Sequence, residues 1–329
     1  MKKITPNGPL AKSIEVYLAH KHSLGKQLTK QGAMLYLLDG YLSAQAVTNL
    51  SQITPAHIEA FVNSRVRPMP RSYNELLGAL RGLFDWLVAH EVLPGSPLRC
   101  EPRRVPPRRR PFLFNTEQVR CLLEAAAKLP SNPRALDRGE IYKTMFALLY
   151  GLGLRVGEVS RLCRKDVDLE AQLLIIRQTK FGKDRIVPFG PRVGRTLAAF
   201  LQREESSYGT IVPDGPVFSF AKQQRRPIGK GTISWTFHKL LPVLNLTIPP
   251  GTAAPHLHCL RHSFAVGTLL RWYRQGVNPM SRLFDLSTFL GHVSPSSTAY
   301  YLTITDELLN YANDRFAQFA ANSRKESMR

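Results

Sequence analysis

The sequence predicts a mainly α protein with a small β-sheet, divided into an all-helical N-terminal domain and a larger α+β domain. Three observations carry this. Through the first hundred residues apolar side chains recur at spacings of three and four, the period that lines one face of a helix. A strap from Arg99 to Pro111 then holds six arginines and four prolines, a composition that forbids helix and favours extended chain. Beyond it, helical stripes give way once to Leu173–Gln178 and Arg185–Phe189, which alternate with a two-residue period around Gly182 as a β-hairpin does.

The elements follow in order. An opening helix is expected around Ile14, Tyr17 and Leu18, and a second around Met34, Leu35, Leu38 and Leu42. A third begins at Thr54-Pro55, a capping residue followed by proline in the first helical position, and would bury Ile58, Phe61 and Val62. The fourth has the clearest stripe: Tyr73, Leu76, Leu77, Leu80, Leu83, Phe84 and Leu87, ended by Leu93-Pro94-Gly95. Four such helices close a small core, so residues 1–98 form one domain, 99–111 the linker and 112–329 a second domain.

That second domain opens with Asn115 and Gln118 as a capping box ahead of Val119, Leu122, Leu123 and Ala126. An apolar helix over Ile141–Leu149 breaks at Gly151 and Gly153, which leaves Arg155 on a glycine-shaped turn before a helix containing Glu158 and Val159. After the hairpin come a helix through Val193, Leu197, Phe200 and Leu201, a strand-like Val217–Phe220, and a basic loop from Lys222 to Lys230 with Arg225-Arg226. Leu260, Phe264, Ala265 and Leu269 mark the next helix. Leu283, Leu286, Phe289 and Leu290 mark another, which Gly291 caps, and Ser294-Pro295 opens a short helix carrying Tyr301. The tail keeps Leu308, Leu309, Tyr311, Phe316 and Phe319, apolar residues that need a partner in their own domain or in a neighbouring protomer.

Forty-five Lys and Arg against twenty-four Asp and Glu give a net charge of +21. So large a charge repels itself unless a polyanion neutralises it, and nucleic acid is the natural partner. Arg103, Arg104, Arg108, Arg109 and Arg110 in the strap, with Arg225 and Arg226 in the loop, are the candidate backbone contacts. A nuclear-localisation tract would have the strap's composition too. Four scattered cysteines and the absence of a long apolar run predict reduced thiols, no membrane span and a cytoplasmic, nucleoid-associated setting.

The densest chemistry lies in Pro255–Tyr301: His258-Cys259-Leu260-Arg261-His262, then Leu290-Gly291-His292, then Tyr301 nine residues on. Two imidazoles, a guanidinium and a phenol suit an anionic substrate and an oxygen nucleophile, hence phosphate chemistry. Arg155 and Lys180 join them in sequence order. Taken alone, a hairpin lysine is usually plain surface. His256-x-His258-Cys259-x-x-His262 also has metal-like spacing, but no second pair completes a four-ligand zinc set.

Gly-Leu-Arg-Val-Gly-Glu around Arg155, Thr-Lys-Phe-Gly-Lys-Asp-Arg-Ile-Val-Pro around Lys180, His-Cys-Leu-Arg-His, and Leu-Gly-His with tyrosine nine residues later together resemble the tyrosine recombinase (phage integrase) family. The resemblance covers residues 112–312. It implies a core-binding helical domain, a tyrosine recombinase catalytic domain, and cleavage and rejoining of DNA through a 3′-phosphotyrosyl intermediate for integration, excision or transposition of a mobile element. In that reading Tyr301 attacks; Arg155 and Arg261 stabilise the charged transition state; His258 accepts or orients the phenol proton. Lys180 protonates the leaving 5′ oxygen, His292 donates to the phosphate, and Glu158 holds Arg155. No cofactor is implied, since the covalent intermediate stores the ester energy and arginines replace metal charge. The partners implied are double-stranded DNA with specific recombination sites, further copies of the chain assembling on it as dimer to tetramer, and accessory recombinases. The long connection Arg271–Met280 resembles a transposon-borne subgroup. Tyr300 competes with Tyr301 as nucleophile, and the nine-residue interval selects Tyr301. A DNA-binding architectural protein that does not cleave is the rival reading; it has no use for a positioned tyrosine.

Overall fold

The computed structural model describes residues 8–107, 109–177, 183–223, 225–292 and 294–303. It divides into two compact units, Met1–Arg108 and Arg109–Arg329.

The first unit is helical: α1 (Ala11–Ser23), α2 (Thr29–Ala44), α3 (Pro55–Ser64) and α4 (Pro70–Ala89). The stripes meet in one core, in which Ile14, Leu35, Leu38, Leu42, Ile58, Phe61, Leu80, Leu83 and Phe84 are buried. Each such side chain contributes roughly 1.5–3 kcal/mol on removal from water. Helix starts carry their own partners. Asp39, buried on α2, accepts from the backbone N–H of Gly8 (3.0 Å) and Leu10 (2.8 Å) at the entry to α1. Thr54 accepts from His57 N–H and the His57 ring faces back toward Thr54, so a histidine fills the place a glutamate usually takes in a capping box. The described residues of the strap form no helix, as its prolines require, and at Arg103 it is docked. Asn74 of α4 holds the backbone of Arg103 through two 2.8 Å bonds, and the Arg103 guanidinium lies 3.9 Å over the Tyr73 ring while donating to the Arg67 carbonyl.

The second unit contains α5 (Thr116–Ala127), α6 (Arg138–Gly151), α7 (Val156–Ser160), β1 (Val167–Asp168), β2 (Leu173–Ile176), β3 (Arg185–Pro188), α8 (Pro191–Tyr208), α9 (Lys230–Leu240), α10 (His258–Arg274), α11 (Leu283–Leu290) and α12 (Ser296–Ala299). Helix α6 is the central post. Ile141, Tyr142, Met145, Phe146, Leu148 and Leu149 are buried on several of its faces, and α5, α8 and α10 pack against it. The strands form an antiparallel sheet in the order β1-β2-β3. Val187 is buried in β3, and Arg185, two residues earlier, shares its face of the strand. Helix α11 contacts β3, so the charged end of that face is delivered to the C-terminus of α11.

One expectation about the elements needs correction, and one element is added. Val217–Phe220 is not a strand: only an isolated bridge joins Cys163 to Pro216, and the Pro216 and Val217 carbonyls accept from the Arg225 guanidinium instead of from a neighbouring strand (3.0 and 2.7 Å). Helix α9 was not anticipated, although Ile233, Phe237 and Leu240 are its buried stripe. The tip of the hairpin, with Lys180, and the tail beyond residue 303 lie outside the described residues.

Candidate active site

The site is built on the C-terminal end of α11. A helix leaves its last carbonyls without intrahelical donors, and here each has an identified partner. Gly291 adopts φ +66° as the left-handed cap. Its N–H donates to the Thr288 carbonyl and the His292 N–H to that of Ser287 (both 2.9 Å), the double closure of a Schellman turn. The next three carbonyls each receive an arginine from a different segment. Arg185 Nε donates to Phe289 (2.9 Å), Arg261 Nη2 to Leu290 (2.6 Å) and Arg155 Nη2 to Gly291 (2.7 Å). Three cations therefore converge on the negative end of one helix dipole.

Glu158 balances two of them. It is 5% exposed and accepts Arg155 Nη1 at 2.8 Å, the Arg155 backbone N–H at 2.9 Å, and both terminal nitrogens of Arg185 at 2.9 Å. Burial alone would raise the Glu158 carboxyl; the paired bonds from Arg185 and those from Arg155 more than offset it and hold the carboxyl down at about 2. Among the described residues Arg261 has no carboxylate of its own within hydrogen-bond reach. It is 1% exposed, with Nη1 on the Gly153 carbonyl (2.7 Å), and its buried Nε has no partner among the described residues. Burial and the neighbouring Arg155 charge lower it to about 10, still a cation at neutral pH. Gly153, at φ +59°, is essential to this contact: a Cβ there would stand 2.5 Å from the Phe264 ring and 2.9 Å from Leu290.

Tyr301 sits on a 3₁₀ turn that continues α12. It is 2% exposed, while Tyr300 is 41% exposed. The Tyr301 hydroxyl lies 3.0 Å from His262 Nδ1. Its ring stacks with that of His292 at 6.2 Å and 19°. His292 is held in turn by Thr298 Oγ1, 2.7 Å from its Nδ1. Burial raises the phenol's pKa; the nearby Arg261 and Arg155 charges act in the opposite direction. His258 opens α10 and meets the His262 ring edge-on at 4.6 Å. Loss of solvation first, and the surrounding cationic groups second, hold His258 and His292 at about 4 and His262 at about 3, although His258 is exposed while His262 and His292 are half-buried; all three are neutral near pH 7.

Arg155, His258, Arg261, His292 and Tyr301 thus come together, with Glu158 beside Arg155. Lys180 lies outside the described residues, and so does Arg108. Arg185 and His262 were not assigned as site residues, although both lie inside the quoted motifs, in Lys-Asp-Arg-Ile-Val-Pro and His-Cys-Leu-Arg-His. Of the expected DNA contacts, Arg104, Arg109, Arg110 and Arg226 are exposed, and Arg103 is stacked on Tyr73. Arg225 is a correction. Its guanidinium is nine-tenths buried and tied to the carbonyls of residues 216 and 217 and to buried Glu204 (3.1 Å), where it fixes the fold instead of facing a phosphate. Among the described residues no three His, Cys, Asp or Glu side chains converge as metal ligands would, and Cys259 is a buried neighbour of His256.

Residues 114–307 match the family described as the phage integrase family. A candidate integrase/recombinase, y4rB of Sinorhizobium fredii, is 32% identical over 92% of this chain and 95% of its own. The tyrosine recombinase XerA of Thermococcus onnurineus is 29% identical over 74% of this chain and 75% of its own. Among solved structures the fold is similar to a lambda integrase dimer bound to a COC′ core site (TM-score 0.60, 18% identity, 89% of this chain and 76% of that one). It is similar also to the Tn1549 transposon integrase in complex with transposon right end DNA (TM-score 0.61, 15% identity, 94% and 99%).

Proposed function

The chain belongs to the phage integrase family, and from that premise we propose that it cuts and rejoins double-stranded DNA at specific recombination sites by passing a phosphodiester to and from Tyr301. The Tyr301 oxygen attacks phosphorus, the bond to the 5′ oxygen breaks, and a 3′-phosphotyrosyl protein and a free 5′-hydroxyl result. A 5′-hydroxyl from the exchanged strand reverses the step. Negative charge grows on the non-bridging oxygens during attack, where fixed guanidinium donors are worth most. The observation that carries the reading is a buried phenol beside two guanidiniums that are fixed to the consecutive carbonyls of Leu290 and Gly291 at the end of α11. The buried Arg261 Nε, unpartnered among the described residues, supports it further: such a donor costs about 1–3 kcal/mol unless an acceptor arrives. His292 donates to the phosphate, and Lys180, by its motif, supplies the leaving-group proton.

The arginines bring the charge that a metal ion brings elsewhere, and the phosphotyrosyl bond keeps the ester energy for rejoining. Copies of the chain assemble on DNA as dimer to tetramer in this reading, and mobile-element integration, excision or transposition is the setting. Acting on DNA, the protein belongs with the nucleoid; among the described residues no helix is long and apolar enough to cross a membrane.

The test is covalent trapping. On a nicked suicide substrate the wild type should form a protein–DNA adduct that maps to Tyr301, and Tyr301→Phe should bind the same DNA and form none. An undiminished adduct in Tyr301→Phe moves the nucleophile elsewhere; DNA binding with no adduct even in the wild type returns the non-cleaving alternative.

A further inference from the structure

We propose that His262, not His258, takes the Tyr301 proton as the phenol attacks and returns it when the strand is rejoined. This rests on the reading of Tyr301 as nucleophile.

Proton transfer in a transition state needs an acceptor within hydrogen-bond reach of the atom losing the proton, about 2.6–3.2 Å. His262 Nδ1 meets that condition at 3.0 Å from the phenol oxygen. The other two imidazoles are placed for different work. His292 lies face-on to the Tyr301 ring, with its Nδ1 engaged by Thr298. His258 meets the His262 ring edge-on at 4.6 Å, with His256 also 6.5 Å from that ring, and among the described residues the imidazole hydrogen-bonded to the phenol oxygen is that of His262. Helix geometry explains the division: residues four apart lie above one another, so His258 and His262 form one ladder along α10, and His262 is the rung that faces the 3₁₀ turn.

The surroundings of His262 make the transfer conditional on substrate. Burial lowers it first, followed by its electrostatic coupling to His258, His256 and Arg261, so without DNA it is a poor base. A phosphodiester entering beside Arg155 and Arg261 brings a negative charge that offsets those cations and favours the imidazolium. Acceptor strength thus rises when the ester is in place. The step balances: the Oη–P bond forms as P–O5′ breaks, the phenol proton passes to Nδ1, and the 5′ oxygen is protonated by a separate donor. On ligation the imidazolium proton returns to the departing phenolate.

The experiment uses His262→Asn, whose amide sits near the position of Nδ1 and keeps a hydrogen bond but cannot carry the proton. Single-turnover cleavage should slow by roughly 10²-fold or more, with DNA affinity held within a few-fold of wild type. The loss should persist on a substrate whose 5′ leaving oxygen is replaced by sulfur, because thiolate departs without a proton; on that substrate the Lys180→Ala loss should be relieved. Cleavage by His262→Asn within threefold of wild type overturns the proposal. So does a loss that the sulfur substrate abolishes, which would tie His262 to the leaving group. A measurement on wild-type protein stands independently of that variant's folding: with ¹⁵N-labelled histidine, one imidazole nitrogen should shift between wild type and Tyr301→Phe, and no shift means the bond is not formed. Failure of the nucleophile assignment itself reads out separately, as adduct formation by Tyr301→Phe.

Discussion

At the scale of single residues the two arginines of the site differ in kind. Arg155 is partly exposed and shares Glu158 with Arg185, whereas Arg261 is buried and bonded to two backbone carbonyls. Alanine at either position should slow cleavage by roughly 10²–10³, the usual loss for one donor to a developing anion. The two should separate in stability. Arg261→Ala leaves the Gly153 and Leu290 carbonyls without their donor, at about 1–3 kcal/mol each, so its urea midpoint should fall well below that of Arg155→Ala. Equal midpoints would mean that water reaches those carbonyls. The sequence made Arg155, Arg261 and Tyr301 legible because each lies in a short motif. It did not disclose the partners of Arg185 or His262, which are 27, 104 and 39 residues away. The same limit misread Arg225, where a basic loop looks alike whether its arginines face solvent or a buried glutamate.

Among the elements, those with local signals were the ones the sequence displayed. The Asn115–Gln118 box, with bonds of 3.0 and 2.8 Å, starts α5 at the expected residue, and Gly291 ends α11. Val217–Phe220 has strand composition, yet a side chain takes the carbonyls that a ladder needs. The lesson for β3 is similar: its alternation was legible, but the use of Arg185 on its inward face was not. Arg185→Met should leave Glu158 with a single arginine and the Phe289 carbonyl without a side-chain donor. Breaking a buried pair costs roughly 3–5 kcal/mol, and because Arg155 remains, a loss near the lower end is expected in chemical denaturation. Gly291→Ala should also weaken this junction, through left-handed strain and a Cβ 2.9 Å from Arg185 Nη1.

For the molecule as a whole, charge and pH set the behaviour. With +21 net charge, DNA binding should weaken steeply with salt. If the protein contacts six to ten phosphates, affinity should fall about 10³- to 10⁵-fold between 50 and 200 mM salt, read as a linear log–log slope. The pH dependence comes from His258, His262 and His292, all depressed in the fold. An unfolded chain binds protons at these residues near pH 6.5, whereas the folded one does so only at about 3 to 4. Their stabilising contribution is complete above pH 6.5 and diminishes as pH drops toward 4. The midpoint of thermal unfolding should accordingly decline from pH 7 to pH 5, and less so in His262→Asn; an unchanged midpoint would mean that these imidazoles take up protons alike in the folded and unfolded chain.

The three-arginine anchorage on α11 has a consequence for how chains of this kind can diverge. Because the register of that terminus is set by side chains reaching it from the start of α7, β3 and α10, the connection leading into it from α10 is free to drift in length. Insertion of one residue between Phe289 and His292 has no such freedom: it would rotate the peptide units and displace all three cations together. Genetic variation should therefore gather upstream of α11 and stop abruptly at its last turn.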